Sequence, residues 1–222
     1  MRRKVLARVA LAAGPLFAAG FASTAMANIE LQLCSGACSP IFIGAGGAVS
    51  TPAGLVVGAW SINLTNGLSS GPGISALDLS SINATASGAA APLIINLSDN
   101  GFTTPNSLWT MEISAHTVSG SGTATYSAFT DANAFFDHTI PIGTLGPLAA
   151  PPGFDNSGTF SATPSTNPYE LTEVVTLTAG ASGVQWSSDS SIRPAPEPAS
   201  LTLLASALLG LGWLGRRRGR QV

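Results

Sequence analysis

Leu108-Trp109-Thr110-Met111-Glu112-Ile113-Ser114-Ala115-His116-Thr117-Val118 is the stretch that decides the fold. Trp109, Met111, Ile113 and Ala115 alternate with Thr110, Glu112, Ser114 and His116. That period of two belongs to a β-strand with one buried and one wet face. Gly120-Ser121-Gly122 interrupts the run before Thr123-Ala124-Thr125-Tyr126-Ser127-Ala128-Phe129, so 108–129 reads as a β-hairpin.

The same texture extends in both directions. Strands are predicted at Val56–Thr65, Ile74–Ile82, Leu93–Leu97, Thr159–Ala162, Leu171–Thr178 and Val184–Ser187, with clusters of Gly, Pro, Asn and Asp between them. No long apolar stripe of helical period is present, and no repeat of about 20 to 50 residues that would indicate a solenoid or propeller. The pattern predicts an all-β domain, a two-sheet sandwich or jelly roll, over 28–187. It is flanked by an N-terminal signal helix and a C-terminal transmembrane helix.

Charge is distributed very unevenly. Of nine Lys+Arg, Arg2, Arg3, Lys4 and Arg8 open the chain and Arg216, Arg217, Arg218 and Arg220 close it, leaving Arg193 alone between them. All eleven acids, Glu30 to Glu197, lie in that interval, so the formal net charge of −2 hides a strongly acidic middle. A surface with one cation cannot neutralise phosphates, which excludes nucleic acid as a partner.

Residues 1–27 carry the three parts of a cleaved export signal: a basic start, an Ala-rich apolar stretch from Val9 to Phe21, and an A-x-A end at Ala25 and Ala27. The apolar stretch, interrupted by Pro15, is shorter than the roughly 20 residues a stable membrane span needs. Cys34 lies well beyond Ala27, which argues against lipid attachment at the cleavage point.

The other end is also tripartite. A Pro-rich linker, 188–198, leads through Pro196-Glu197-Pro198 into an uncharged stretch, 199–215, and then into the basic tail 216–222. As a helix, 199–215 rises about 26 Å against a hydrocarbon core of about 30 Å, and flanking arginines can snorkel to cover the difference. The positive-inside rule keeps those arginines in the cytoplasm and places the β-rich segment outside the inner membrane.

PEP, an apolar helix rich in Leu and Gly, and a terminal Arg cluster together resemble the PEP-CTERM sorting region, over about residues 194–220. The resemblance implies processing by an exosortase, a membrane-embedded cysteine transpeptidase-like enzyme of Gram-negative bacteria that usually make exopolysaccharide. It assigns Pro196, Glu197 and Pro198 to the recognition motif and Arg216, Arg217 and Arg218 to the basic end. A plain C-terminal anchor that stays in place is the alternative. The 108–129 run with Thr130-Asp131-Ala132-Asn133, the Asp99–Thr103 turn and the Tyr169–Val175 strand also resemble the body of one PEP-CTERM protein group, a likeness that implies no biochemical activity.

Chemistry-bearing residues are sparse. Cys34 and Cys38 predict a small disulfide loop in an oxidising compartment. His116 and His138 are too far apart in sequence to suggest a zinc site with them. Asp131-Ala132-Asn133-Ala134-Phe135-Phe136-Asp137 partly imitates a calcium loop, but Phe136 stands where the turn glycine belongs and Ile142 where the terminal glutamate does. An EF-hand is excluded, and an irregular site using Asp131, Asn133 or Asp137 stays open. No cofactor-binding pattern occurs, and S-x-x-K is impossible without lysine in the exported segment.

Glu112, Glu170 and Glu173 are the acids from which a glycosidase pair could be drawn. Their positions in alternating strands predict instead that they point to water. Trp60 and Trp109 fall on apolar strand faces and predict core.

The expectation is therefore a non-enzymatic protein of the cell surface or extracellular matrix, with exosortase, the secretion machinery and, before processing, the inner membrane as partners, and exopolysaccharide as a candidate one. A carbohydrate-binding module, the first alternative, predicts an exposed row of aromatics. A secreted glycoside hydrolase, the second, predicts a cleft with two converging carboxylates.

Overall fold

The computed structural model describes residues 28–71, 74–195, 203–204 and 206–209. In chain order the strands are β1 (Glu30–Ser35), β2 (Ala37–Cys38), β3 (Phe42–Ile43), β4 (Ala48–Ser50), β5 (Leu55–Val57), β6 (Trp60–Ser69) and β7 (Leu77–Ala86). They continue with β8 (Leu93–Phe102), β9 (Leu108–Gly120), β10 (Gly122–Asp131), β11 (Ile140–Ala150), β12 (Phe154–Ser161), β13 (Tyr169–Leu177) and β14 (Val184–Pro194). Among the described residues these form two seven-stranded antiparallel sheets. The first runs β11-β10-β13-β8-β1-β2, with β3 also on β1, and the second runs β12-β9-β14-β7-β6-β4, with β5 also on β6.

The core is the layer between the sheets, as alternation requires. Leu31, Leu33, Ile95, Leu97, Tyr126, Leu171 and Val175 enter it from the first sheet, and Trp60, Ile62, Leu79, Trp109, Met111, Trp186 and Ile192 from the second. Trp109, Met111, Ile113 and Ala115 of β9 are all buried, and His116 opposite them is exposed.

Three expectations need correction. The 108–129 segment is not a hairpin: β9 pairs with β12 and β14 in one sheet, while β10 pairs with β11 and β13 in the other. At Gly120-Ser121-Gly122 the chain crosses between sheets, so the apolar faces of the two strands meet across the core. The crossing is tight. A Cβ on Gly120, whose φ is +77°, would lie 2.1 Å from Gly183 O, and one on Gly122 would lie 2.1 Å from Thr178 O.

Second, residues 188–194 are not linker. They complete β14, which is bonded to β7 on one side and β9 on the other, with Ser188, Ser190 and Ile192 continuing the inward row of Trp186. The Ala195 amide still bonds Leu108 O, so the domain reaches residue 195. Third, Val56–Thr65 is two strands, β5 and β6, turned at Gly58-Ala59.

The signal segment with Ala25 and Ala27, the motif Pro196, Glu197 and Pro198, and the basic end with Arg216, Arg217 and Arg218 lie outside the described residues. Within 199–215, residues 203–204 and 206–209 are helical, with Leu203, Leu204, Leu208 and Leu209 exposed. Among the described residues no helix is long and apolar enough to cross a membrane.

Candidate functional site

The outward face of the second sheet is built by register. Side chains directly opposite on antiparallel strands share a face, so three adjacent rows can be read across β12, β9, β14 and β7. Thr159, Thr110 and Arg193 form the first row, Ser157, Glu112, Ser191 and Asp78 the second, and Asp155, Ser114 and Asp189 the third. Asp78, Glu112, Ser114, Asp155, Asp189 and Ser191 line a shallow depression of about 200 Å³.

Four carboxylates therefore share one open polar surface. Arg193 donates to Glu112 Oε1 at 2.6 Å, with both side chains about half exposed. The Ser81 amide donates to Asp189 Oδ1 at 2.6 Å. Partial burial, and then the charge of Asp189, push the Asp78 carboxyl above its ordinary value. Asp78, Asp155 and Asp189 carried no individual signal in the sequence, because only pairing brings β12, β9, β14 and β7 side by side.

The first sheet treats its acids in the opposite way. Glu170 and Glu173 are fully buried, which corrects the expectation that they face water; Glu112 alone of the three is partly exposed. Glu173 stands on the inner face of β13 between Leu171 and Val175, and Tyr126 OH donates to its Oε1 at 2.5 Å. Burial pushes the Glu173 carboxyl well above its ordinary value, against the opposing pull of the Tyr126 bond. Glu170 stands on the other face, where Oε2 accepts from Ser98 Oγ at 2.9 Å and Thr172 Oγ1 at 2.6 Å. Its carboxyl is pushed up to about 8, chiefly by burial. Asp99, buried at the inner edge of β8, accepts from Ser69 Oγ and the Asn100 amide.

The two strand glutamates thus sit on opposite faces of one strand and cannot converge on a substrate. Nor do the described Trp and Tyr residues form a stacking platform. Trp60, Trp109, Trp186, Tyr126 and Tyr169 are all fully buried, and the indole N–H groups donate to Ala91 O, Ala162 O and Thr178 O. Cys34 and Cys38 are joined in a disulfide that closes the β1–β2 turn. His138 stacks on Phe129 with ring centroids 4.6 Å apart, away from the exposed His116 of the other sheet. Among the described residues no three His, Cys, Asp or Glu side chains form a group that could hold a metal ion.

The chain matches no protein-family model and no curated protein sequence. Its two-sheet layout is similar to solved structures at low identity. One is the structure of infectious bursal disease virus Gx strain, at 15% identity and a TM-score of 0.35, covering 75% of this chain and 55% of that one. Another is TmCBM61 in complex with beta-1,4-galactotriose, at 7% identity and 0.32, covering 74% and 88%. A third is TmCBM27, a carbohydrate-binding module that recognises mannan, at 10% identity and 0.30, covering 62% and 90%. Likenesses of this strength say nothing about what this chain binds.

Proposed function

We propose that this chain is a non-enzymatic exported protein of the cell surface or exopolysaccharide matrix, delivered there by exosortase processing of its tail, and that the outer face of its second sheet is the surface it displays. The observation that carries the display reading is the register of that face. Hydroxyls and carboxylates from β12, β9, β14 and β7 stand in consecutive rows, with one arginine among them. Such a surface offers hydrogen-bond donors and acceptors to sugar hydroxyls over several strands without a stacking ring. Its acids lie on an open face and not in a closed cleft, which favours adhesion over hydrolysis.

The export reading draws support from the Cys34–Cys38 disulfide, which suits an oxidising compartment, and from the three-part ends of the sequence. Intact-mass measurement of the protein from the native host's surface and medium tests it. Loss of residues 1–27 together with everything beyond the PEP region is the expected result. Retention of Arg216–Arg220 on the mature protein would refute sorting and leave a plain membrane anchor.

The displayed face is tested by electrophoresis of the protein through gels containing the host polysaccharide. Retardation that weakens in Asp155→Asn and Asp189→Asn variants supports it, and equal mobility of all three proteins with and without polysaccharide refutes it.

A further inference from the structure

Among the described residues β12 ends the second sheet, bonded along one side to β9 and to no other strand. That ladder runs from Phe154 to Ser161 without a register shift. The other side of such a strand carries amides and carbonyls with no ladder partner, a template on which a further strand can form. The remaining edges are unsuited to this. The strands β2, β3, β4 and β5 are two or three residues long. The longer β11 contains Pro141 and Pro147, which have no amide to donate, and its ladder with β10 slips twice. By contrast β12 holds no proline, lysine or arginine, and Asp155 is its single charge.

The strand is also its own complement. Residues directly opposite in an antiparallel pair share a face, so a two-fold axis relating two copies of β12 must pass through a residue. Placed at Ser157, which is exposed on the outer face, the axis sets Phe154 opposite Phe160 of the copy and Asp155 opposite Thr159. Phe154 packs edge-on to Trp186 and Phe160 lies over Gly143, yet both rings stay only half-buried at this rim. A second copy covers both with an aromatic cross-strand pair. The two Asp155 carboxylates do not meet: four residues along the ladder separate them by about 14 Å. That exceeds the Debye length of about 8 Å in physiological salt. A foreign peptide would have to supply this pattern, whereas a second copy of the chain supplies it by symmetry.

We propose that β12 pairs antiparallel with β12 of a second copy of this chain about a two-fold axis at Ser157, joining the two second sheets into one continuous sheet. The axis stands perpendicular to that sheet, so the outer faces of both copies lie on the same side. Their rows of hydroxyls and carboxylates then form one surface. The pairing is isologous, which closes the assembly at a dimer. It is independent of the export reading and of what the outer face binds.

The test is oxidative cross-linking of a Ser157→Cys variant of the full-length protein in mild detergent, read as a doubled mass on a non-reducing gel. Cys34 and Cys38 are already joined, so the new thiol is free to report. Opposed residues of an antiparallel pair have Cα atoms about 4.5–5.5 Å apart, within the span of a disulfide. Ser157→Cys should therefore cross-link about tenfold faster, or more, than Ser50→Cys, an exposed position on β4 at the far edge of the same sheet. Adding Thr159→Asp to Ser157→Cys sets like charges opposite each other twice about the axis and should slow the reaction about tenfold. Adding Thr159→Lys instead sets an ammonium opposite Asp155 and should not slow it. Thr159 is exposed on a strand rim, so both changes leave the fold of a single copy intact. Equal cross-linking of Ser157→Cys and Ser50→Cys, or a rate indifferent to the charge at 159, would overturn the proposal.

Discussion

Glu173→Gln should remove a large part of this protein's sensitivity to pH. The Glu173 side chain is fully buried between Leu171 and Val175, one oxygen accepting from Tyr126 OH and the other without a hydrogen-bond partner. Burial holds its carboxyl well above the ordinary 4.5, and the charge of Asp78 adds to the effect. The unfolded chain returns it to about 4.5, so the folded state binds this proton more tightly. A raised folded pKa contributes stability that is complete below the unfolded value and is lost as pH rises toward the folded one. Between those two values the loss is about 1.4 kcal/mol for each pH unit. Glutamine keeps the shape and the acceptor for Tyr126 but cannot ionise. Urea denaturation followed by tryptophan fluorescence, from about pH 4.5 to about pH 8, measures the difference between the two proteins. That difference should grow with pH in favour of the variant. Glu30, Asp78, Asp99 and Glu170, whose carboxyls are also raised, remain in both proteins and largely cancel. A difference that stays constant across the range would refute the reasoning.

Trp60→Ala should cost about 3–5 kcal/mol, because it empties a fully buried indole site and leaves Ala91 O with the Ser35 Oγ bond alone, and the urea midpoint should fall with the slope unchanged. Gly122→Ala places a methyl 2.1 Å from Thr178 O at the crossing between sheets, so a loss of about 1–3 kcal/mol is expected from thermal denaturation, and a neutral result would show that the crossing is loose. Replacing both Cys34 and Cys38 by Ser should cost no more than about 2 kcal/mol, since the closed loop is short; complete loss of the near-ultraviolet dichroism would contradict that.

Local pattern was enough to establish that strands make this domain and which side of many of them is dry. The alternation in β9 identified Trp109, Met111, Ile113 and Ala115 as core without reference to any partner. The inner row Tyr169, Leu171, Glu173, Val175 and Leu177 was equally legible, and following its period through Glu173 would have revealed a buried acid. The serines at 188 and 190 hid the second half of the last strand, because small polar residues carry almost no hydrophobic signal even when they face inward. Partners were a different matter. A period of two specifies a face but not which neighbour supplies the ladder hydrogen bonds, so Gly120-Ser121-Gly122 fitted a hairpin as well as the crossing it makes. Pairing across strands far apart in sequence placed Asp155, Asp189, Glu112 and Asp78 on one surface, and it set Asp131 against Glu170. The burial of Glu170 was decided last of all, by the 132–139 segment folding over a face that strand alternation alone assigns to water.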